Sequence, residues 1–422
     1  MQPPALKNDC FALPPGVDWT PVDTALDLLK SRLSSVVGSQ QIDLSDGLGR
    51  ILAQPIFAAR ANPPTANSAV DGFGFAHASV IATDDADVQE LPLIQGRAAA
   101  GQPYDGQVPA GHAIRILTGA RIPLGVDTVI LEEDTTSRQD RIAFRGGLKK
   151  GANTRKAGED VAKDAPLFDA DHRLMPQDLA LLAATGIAKI PVHTRLKVGV
   201  LSTGDELIAT GQPPGETGVY DANRPMLLAL LDRWGYQPVD LGHARDDRDL
   251  LRAHLDQAVT EVDAILTSGG ASAGDEDHLS ALMQAEGQLH SWRIAIKPGR
   301  PLALGQWQGV PLFGLPGNPV AAFVCTLIFA RPALGLLAGA TWQTPTGFLV
   351  PAGFSKSKKP GRREYLRAKI GHDGRVACFK SEGSGRISGL SWAEGLVELG
   401  DAARDINEGN PVTYYPYSAF GI

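Results

Sequence analysis

Apolar residues change their spacing several times along the chain, and each change marks a new kind of element. Ala25, Leu26, Leu28, Leu29 and Leu33 recur on a helical period and predict an amphipathic helix over Val22 to Val37. From Ile56 to about Asp160 the pattern turns to short β-like runs, Ala113 to Leu117 and Asp127 to Glu132 among them, separated by Gly/Pro turns. Met175 to Thr185 is helical again, opened by Pro176. Because helices bracket the β-rich stretch, residues 16–60 and 161–193 are expected to form one discontinuous helical and mixed domain. Residues 61–160 would be inserted into it, after a flexible tail at 1–15.

From Leu196 onward strands and helices alternate regularly. Strands are predicted over Leu196 to Leu201, Gln237 to Leu241 and Val262 to Thr267, and helices over Arg224 to Trp234, Asp247 to Thr260 and Asp277 to Ala285. Arg293 to Ile296 and Pro311 to Gly314 add strands before a helix that starts at Pro319. This pattern predicts a three-layer α/β domain at 194–340. Val320 to Ala340 is the most apolar stretch, but Arg331 and Pro332 interrupt it, so a buried helix is expected rather than a membrane span. Residues 341–422 carry short alternating runs and turn glycines, ending in a strand at Val412 to Tyr415, and predict a C-terminal β-barrel-like domain. The fold class is α/β multidomain.

Three unusual turns fall within one window of the α/β region, each after a strand-like run. Ser268 to Asp275 reads Ser-Gly-Gly-Ala-Ser-Ala-Gly-Asp, Lys297 to Arg300 reads Lys-Pro-Gly-Arg, and Leu315 to Pro319 reads Leu-Pro-Gly-Asn-Pro. In open α/β sheets ligands settle outside the carboxyl ends of the strands, where glycines admit backbone amides and helix amino ends attract anions. Lys297 and Arg300 point to phosphate or another oxyanion. Asp275 and Asp277 point to a divalent cation such as magnesium, which shares its shell between carboxylates and phosphate.

Composition narrows the classes. The net charge of −7 disfavours broad nucleic-acid binding. Cys10, Cys325 and Cys378 are too scattered for a disulfide framework or a zinc site, which fits a reducing cytoplasm. The amino terminus has no unbroken apolar core of a signal peptide. The nine histidines show no ligand spacing, and His278 reads as packing or helix-start polarity. Neither a Gly-x-x-x-x-Gly-Lys-Ser/Thr phosphate loop nor a Gly-x-Ser-x-Gly elbow occurs.

Other loops carry chemistry with plainer alternatives. Ser202-Thr203-Gly204-Asp205-Glu206 follows a strand and reads either as a site edge or as an ordinary turn with solvated carboxylates. Asp246 or Asp247 could equally cap the next helix. Sheet topology would bring Glu206, Asp246 and Asp277 to one edge with Lys297 and Arg300. In the insert, the turns holding Asp71, Thr118 and Asp160 are ordinary by chemistry alone. In the last domain Arg362, Arg363, Arg367 and Arg386, with Ser381 and Ser384, can form an oxyanion receptor or, for Arg362 and Arg363, a solvated face.

Eight motifs in order, Ser-Ala-Val-Asp-Gly-Phe, Leu-Thr-Gly-Ala, Ala-Gly-Glu-Asp, Ser-Thr-Gly-Asp-Glu-Leu, Tyr-Asp-Ala-Asn, Ser-Gly-Gly-Ala-Ser-Ala-Gly-Asp, Ile-Lys-Pro-Gly-Arg-Pro and Gly-Leu-Pro-Gly-Asn-Pro-Val, resemble those of the MoeA/gephyrin family of molybdopterin molybdenumtransferases. The resemblance runs from about Gly16 to the carboxyl terminus. It implies a cytoplasmic, dimeric four-domain enzyme that inserts molybdate into adenylylated molybdopterin and releases AMP with Mg2+ present. By motif it implies catalytic roles for Asp71, Thr118, Asp160, Glu206, Asp246 and Asp277, with Asp246 and Asp277 on the metal. It places Ser268, Gly269, Gly270, Ser272, Gly274, Lys297, Arg300, Pro316, Gly317 and Asn318 around the pterin, with Arg367 and Ser384 receiving molybdate.

The same resemblance implies transient contacts with molybdopterin adenylyltransferase and molybdoenzyme maturation proteins, and no nucleic-acid or membrane partner. Val70, Ala271, Ala273 and Arg300 depart from the family pattern, the first three in packing and Arg300 in hydrogen-bond geometry. The rivals are molybdopterin adenylylation, which goes with an isolated α/β domain, and a non-catalytic gephyrin-type scaffold, which goes with a fused second α/β domain.

Overall fold

The computed structural model describes residues 19–80, 87–213, 215–269, 278–299 and 301–422. Helix α1 (Val22–Arg32) is shorter than its apolar pattern suggests, because Leu33 adopts an extended backbone and ends it. Strand β1 (Ser39–Asp43) closes a two-stranded antiparallel sheet with a strand that lies about 150 residues later in the chain, at Lys189–His193. Between them sits a six-stranded sheet made of β2 (Gly72–Phe75), β3 (Val88–Ala98), β4 (Ala113–Ile116), β5 (Thr128–Leu131), β6 (Thr135–Ser137) and β7 (Arg141–Arg145), in the order β5-β2-β4-β3-β7-β6. Alternate residues Phe73 and Phe75 meet Leu91, Ile130, Ile142 and Phe144 in a small core of its own. Helix α2 (Pro176–Ala184), with its proline in the first turn, leads into β8 (Lys189–His193).

The α/β region follows, as β9 (Lys197–Thr203), α3 (Asn223–Arg233), β10 (Gln237–Ala244), α4 (Arg248–Ala258), β11 (Ala264–Ser268), α5 (His278–Ala285) and β12 (Gln288–Arg293). A short strand, β13 (Ile296–Lys297), leaves this sheet before β14 (Pro301–Trp307) and β15 (Val310–Leu315) complete it. The order is β10-β9-β11-β15-β14-β12, with the first four strands parallel and β14 antiparallel to both β15 and β12. Pleat alternation sorts the two faces: Val198, Val200 and Leu266 join α3 and the final helix, whereas Leu201 and Ile265 join Leu251, Leu255, Leu279 and Leu282 of α4 and α5. The apolar face of α1 (Val22, Ala25, Leu29) enters the first of these cores.

Two expectations are corrected here. Arg293 to Ile296 is not one strand: Arg293 ends β12, whereas Ile296 begins β13, which pairs in parallel with a strand of the last domain. The strand Pro301–Trp307 was not anticipated, because its proline start and internal Gly305 read as turn chemistry. The apolar run after Pro319 is helical to Leu337, as α6 (Pro319–Cys325), a π turn at Thr326–Ala330 and α7 (Arg331–Leu337). Pro332 has no N–H for a regular helical bond, and the wide turn just before it absorbs the mismatch. This helix is long and apolar enough to cross a membrane, yet 83% of its most apolar window is buried inside the protein.

The last region forms a sheet from β16 (Phe348–Pro351), β18 (Arg363–Ile370), β20 (Gly395–Leu399) and β22 (Pro411–Pro416), in the order β13-β18-β20-β22-β16, with β19 (Val376–Cys378) beside β18. Strands β17 (Lys356–Lys358) and β21 (Arg404–Ile406) pair separately. Because β13 belongs to this sheet, the loop after it joins the α/β region to the last domain.

Candidate functional site

The strand order sets β10 on one side of β9 and β11 on the other, so the crevice between the carboxyl ends of β9 and β11 is a topological switch point. A cleft of about 1030 Å³ opens there, lined by Thr203, Glu206, Ser268, Gly269 and the Pro316-Gly317-Asn318 turn, and walled opposite by Arg362 and the loop 382–387. Another concavity of about 1130 Å³ lies on the insert, a broad depression by Glu133, Lys149 and Lys150 away from every strand end of the α/β sheet.

Gly269 makes the floor possible. Its φ is +96°, and a Cβ there would lie 2.4 Å from the Thr203 carbonyl oxygen, so only glycine lets the two strand ends approach. Asn223, at the start of α3, donates to Ser268 Oγ and to the Gly317 carbonyl, both at 2.7 Å, and so fixes three loops at once. Asp221 is buried and accepts from Ser202 Oγ at 2.6 Å and from the Arg224 N–H at 3.1 Å, which anchors the same helix start to β9.

The cationic side of the cleft is charge-compensated. Lys297 Nζ lies 2.6 Å from Glu382 Oε2 and 3.5 Å from Glu364 Oε2. Lys356 Nζ lies 3.2 Å from Glu364 Oε2 and also pairs with Glu382. Burial pushes the Lys356 ammonium down, but its hydrogen bond to Glu382 and the charge of Glu364 outweigh this and its pKa is raised. Burial likewise pushes the Glu382 carboxyl up, and the hydrogen bonds from Lys297 and Lys356 hold it below the usual range.

Arg367, expected to receive molybdate, lies behind the loop rather than in the main cleft. Its guanidinium donates to the carbonyls of Ser381 (2.5 Å), Gly383 (3.2 Å) and Arg386 (2.5 Å) and stacks over Phe379 at 4.9 Å. Burial lowers its pKa. It thereby shapes the turn that carries Ser384 into the cleft, and the Ser384 carbonyl in turn accepts from the Val320 N–H of α6 at 3.3 Å.

At the neighbouring strand end, Asp205 and Asp246 grip each other's loops. The Asp205 N–H donates to Asp246 Oδ2 at 3.3 Å and the Asp246 N–H to Asp205 Oδ1 at 3.2 Å. The helix cap is Asp247, which accepts from Asp249 and Leu250 at 2.9 Å, so Asp246 does not cap α4. Among the described residues no group of three or more His, Cys, Asp or Glu side chains could hold a metal ion. Asp246 nevertheless keeps carboxylate lone pairs beyond its one hydrogen bond, and magnesium needs only one or two carboxylates when phosphate completes its shell. Asp277 lies outside the described residues, as do Gly270, Ser272, Gly274 and Arg300.

The insert residues do not line this cleft within the chain. Asp71 Oδ1 accepts both the N–H and the hydroxyl of Thr118 at 2.6 Å, hydrogen bonds that depress its pKa, and Asp160 accepts from Asn62 Nδ2 at 2.9 Å. All three lie at the surface. Thus Glu206, Ser268, Gly269, Lys297, Pro316, Gly317, Asn318 and Ser384 come together, whereas Asp71, Thr118, Asp160 and Asp246 stand apart. Sequence reasoning missed Asn223, Lys356, Glu364 and Glu382. The Tyr-Asp-Ala-Asn motif was a signal for Asn223, but no local spacing pairs the other three.

Comparisons with known proteins agree with this architecture. Residues 20–186 match the MoeA N-terminal region (domain I and II), 199–335 the probable molybdopterin binding domain, and 350–417 the MoeA C-terminal region (domain IV). The chain is 32% identical to a molybdopterin molybdenumtransferase of Haemophilus influenzae, covering 94% of this chain and 98% of that one. It is 31% identical to one of Synechococcus elongatus, covering 87% and 92% respectively. A crystal structure of the molybdopterin biosynthesis moeA protein from Pyrococcus horikoshii superposes with a TM-score of 0.83 at 28% identity, covering 95% of this chain and all of that one.

Proposed function

The chain belongs to the MoeA family of molybdopterin molybdenumtransferases, and on that footing we propose that it inserts molybdate at the dithiolene of adenylylated molybdopterin with release of AMP. One observation carries the reading: a glycine-floored switch-point crevice, with Lys297 at its edge, and a wall from the last domain that bears Arg362 and Ser384 face each other across a single cleft. The amides around Gly269 and the Pro316-Gly317-Asn318 turn receive phosphate and pterin, Lys297 and Arg300 supply positive charge, and Ser384, on the loop shaped by Arg367, faces the incoming molybdate. Asp246 and Asp277 would hold Mg2+ with substrate phosphate, and the ion would offset charge as the phosphoanhydride breaks. No side-chain nucleophile is required: a water oxygen forms the new bond to the adenylyl phosphorus, giving AMP, and the molybdopterin phosphate is the leaving group.

The exposed positions of Asp71, Thr118 and Asp160, away from the cleft of their own chain, support a homodimer in which a second copy brings them to it. Ser272 and Gly274 continue in sequence the glycine-rich run begun by Gly269 and Gly270, and the proposal gives them the same phosphate. Unpaired thiols at Cys325 and Cys378 accord with a reducing cytoplasm. A substrate supplied by one enzyme and a product handed to another accord with transient contacts to molybdopterin adenylyltransferase and to molybdoenzyme maturation proteins. Anaerobic incubation with adenylylated molybdopterin tests the reading. AMP release that requires molybdate supports it, consumption of ATP would indicate adenylylation instead, and no turnover would indicate a scaffold.

A further inference from the structure

The main cleft and a smaller chamber of about 240 Å³ behind it meet at Lys297, Pro298 and Glu382. At this junction two ammonium groups face two carboxylates. Glu382 offers one oxygen to Lys297, at 2.6 Å, and the other to Lys356, while Glu364 accepts from both lysines through a single oxygen. The four side chains are not equally held. Those of Glu364, Lys297 and Lys356 are 10%, 12% and 14% exposed, whereas that of Glu382 is 41% exposed. Glu364 sits in β18, within a sheet, whereas Glu382 sits on the Ser381-to-Gly385 loop, with glycine at 383 and 385. Of the four charges, Glu382 is the one that can leave without disturbing a strand.

From this arrangement we infer that Glu382 is an internal counter-anion: it occupies the oxyanion seat between Lys297 and Lys356, and molybdate binds by displacing it. The inference rests on the reading of this cleft as a molybdate-handling site. A carboxylate that spans two ammonium groups presents the same pair of oxygens as one edge of a tetrahedral oxyanion. With Glu382 swung out, the two lysines lose a carboxylate they share, and the positive charge so released sits where the side chains are only slightly exposed and Coulombic attraction is strong. With Glu382 in place both lysines are charge-paired, so weakly bound anions do not fill the seat. Glu382 thus sets the affinity threshold of the seat.

Equilibrium dialysis of the full chain against molybdate, with AMP release by the unaltered protein measured alongside, tests this. Glu382→Gln keeps the size and removes the charge, and should tighten molybdate binding about threefold to tenfold, the range set by the net worth of an ordinary hydrogen bond because the competing carboxylate is partly exposed. In a Lys356→Met background the same change should give a gain of less than about twofold, because the seat is already broken. Unchanged or weaker molybdate binding by a Glu382→Gln protein with a native circular dichroism spectrum would overturn the inference, as would an equal gain without Lys356. Should that variant not fold, Glu382→Asp, which is too short to span both lysines, must show the tightening. If the unaltered protein releases AMP only with molybdate and Glu382→Gln binds molybdate no better, the inference alone fails. If the unaltered protein neither binds molybdate nor releases AMP, the functional reading fails and takes the inference with it.

Discussion

Asn223 donates its side-chain amide to Ser268 Oγ at 2.7 Å, tying the start of α3 to the end of β11, and its reach to the Gly317 carbonyl adds the end of β15. Asn223→Ala removes both bonds, one of them from the buried Ser268 hydroxyl, and should cost about 1–3 kcal/mol of stability. Asn223→Asp should be worse, because a carboxylate would face the Gly317 carbonyl. Chemical denaturation together with the KM for adenylylated molybdopterin checks this, with KM expected to rise more than kcat falls.

Gly269→Ala places a methyl 2.4 Å from the Thr203 carbonyl at a φ of +96°. Strain of about 1–3 kcal/mol is expected, and relief of it must separate β9 from β11 at the switch point. Substrate binding should therefore fall further than stability, a comparison that calorimetric titration and thermal unfolding make directly.

Arg367→Lys retains the charge but loses the fork that reaches the carbonyls of Ser381, Gly383 and Arg386. The loop that presents Ser384 is then unsupported. The expected result is a higher KM for molybdate with little change in KM for the pterin substrate, read from AMP release at varied molybdate.

The α/β alternation and the switch-point loops were legible because buried parallel strands are unbroken apolar runs and the glycines fall at their ends. What could not be read was pairing across distance. Lys297 meets Glu364 and Glu382, 67 and 85 residues later, because β13 leaves one sheet for another. The amphipathic pattern of α1 identified its buried face but not the core that face enters. Arg367 looked like a ligand-facing cation, and only the structure shows its donors turned onto backbone carbonyls.

The bidentate pair of Arg363 with Asp23, at 2.7 and 2.8 Å, joins α1 to β18 across 340 residues. The hydrogen bonds from Arg363 are the main reason the Asp23 carboxyl titrates below its ordinary range, with burial opposing them. A carboxylate depressed on folding stabilises above its unfolded pKa of about 4 and loses that contribution as pH falls through the lower folded value. Asp23 is 68% exposed, so the effect is about 1 kcal/mol or less. Asp23→Asn should lower the urea midpoint at pH 7, and the two midpoints should converge as the pH is brought below the ordinary carboxylate range.

The central claim, insertion of molybdenum coupled to loss of the adenylyl group in this cleft, is tested most directly by a single anaerobic turnover with limiting molybdate, counting AMP released against molybdenum incorporated. Equal amounts of the two are expected, and no AMP without molybdate. AMP released in the absence of molybdate, or molybdenum incorporated with no AMP, would contradict it.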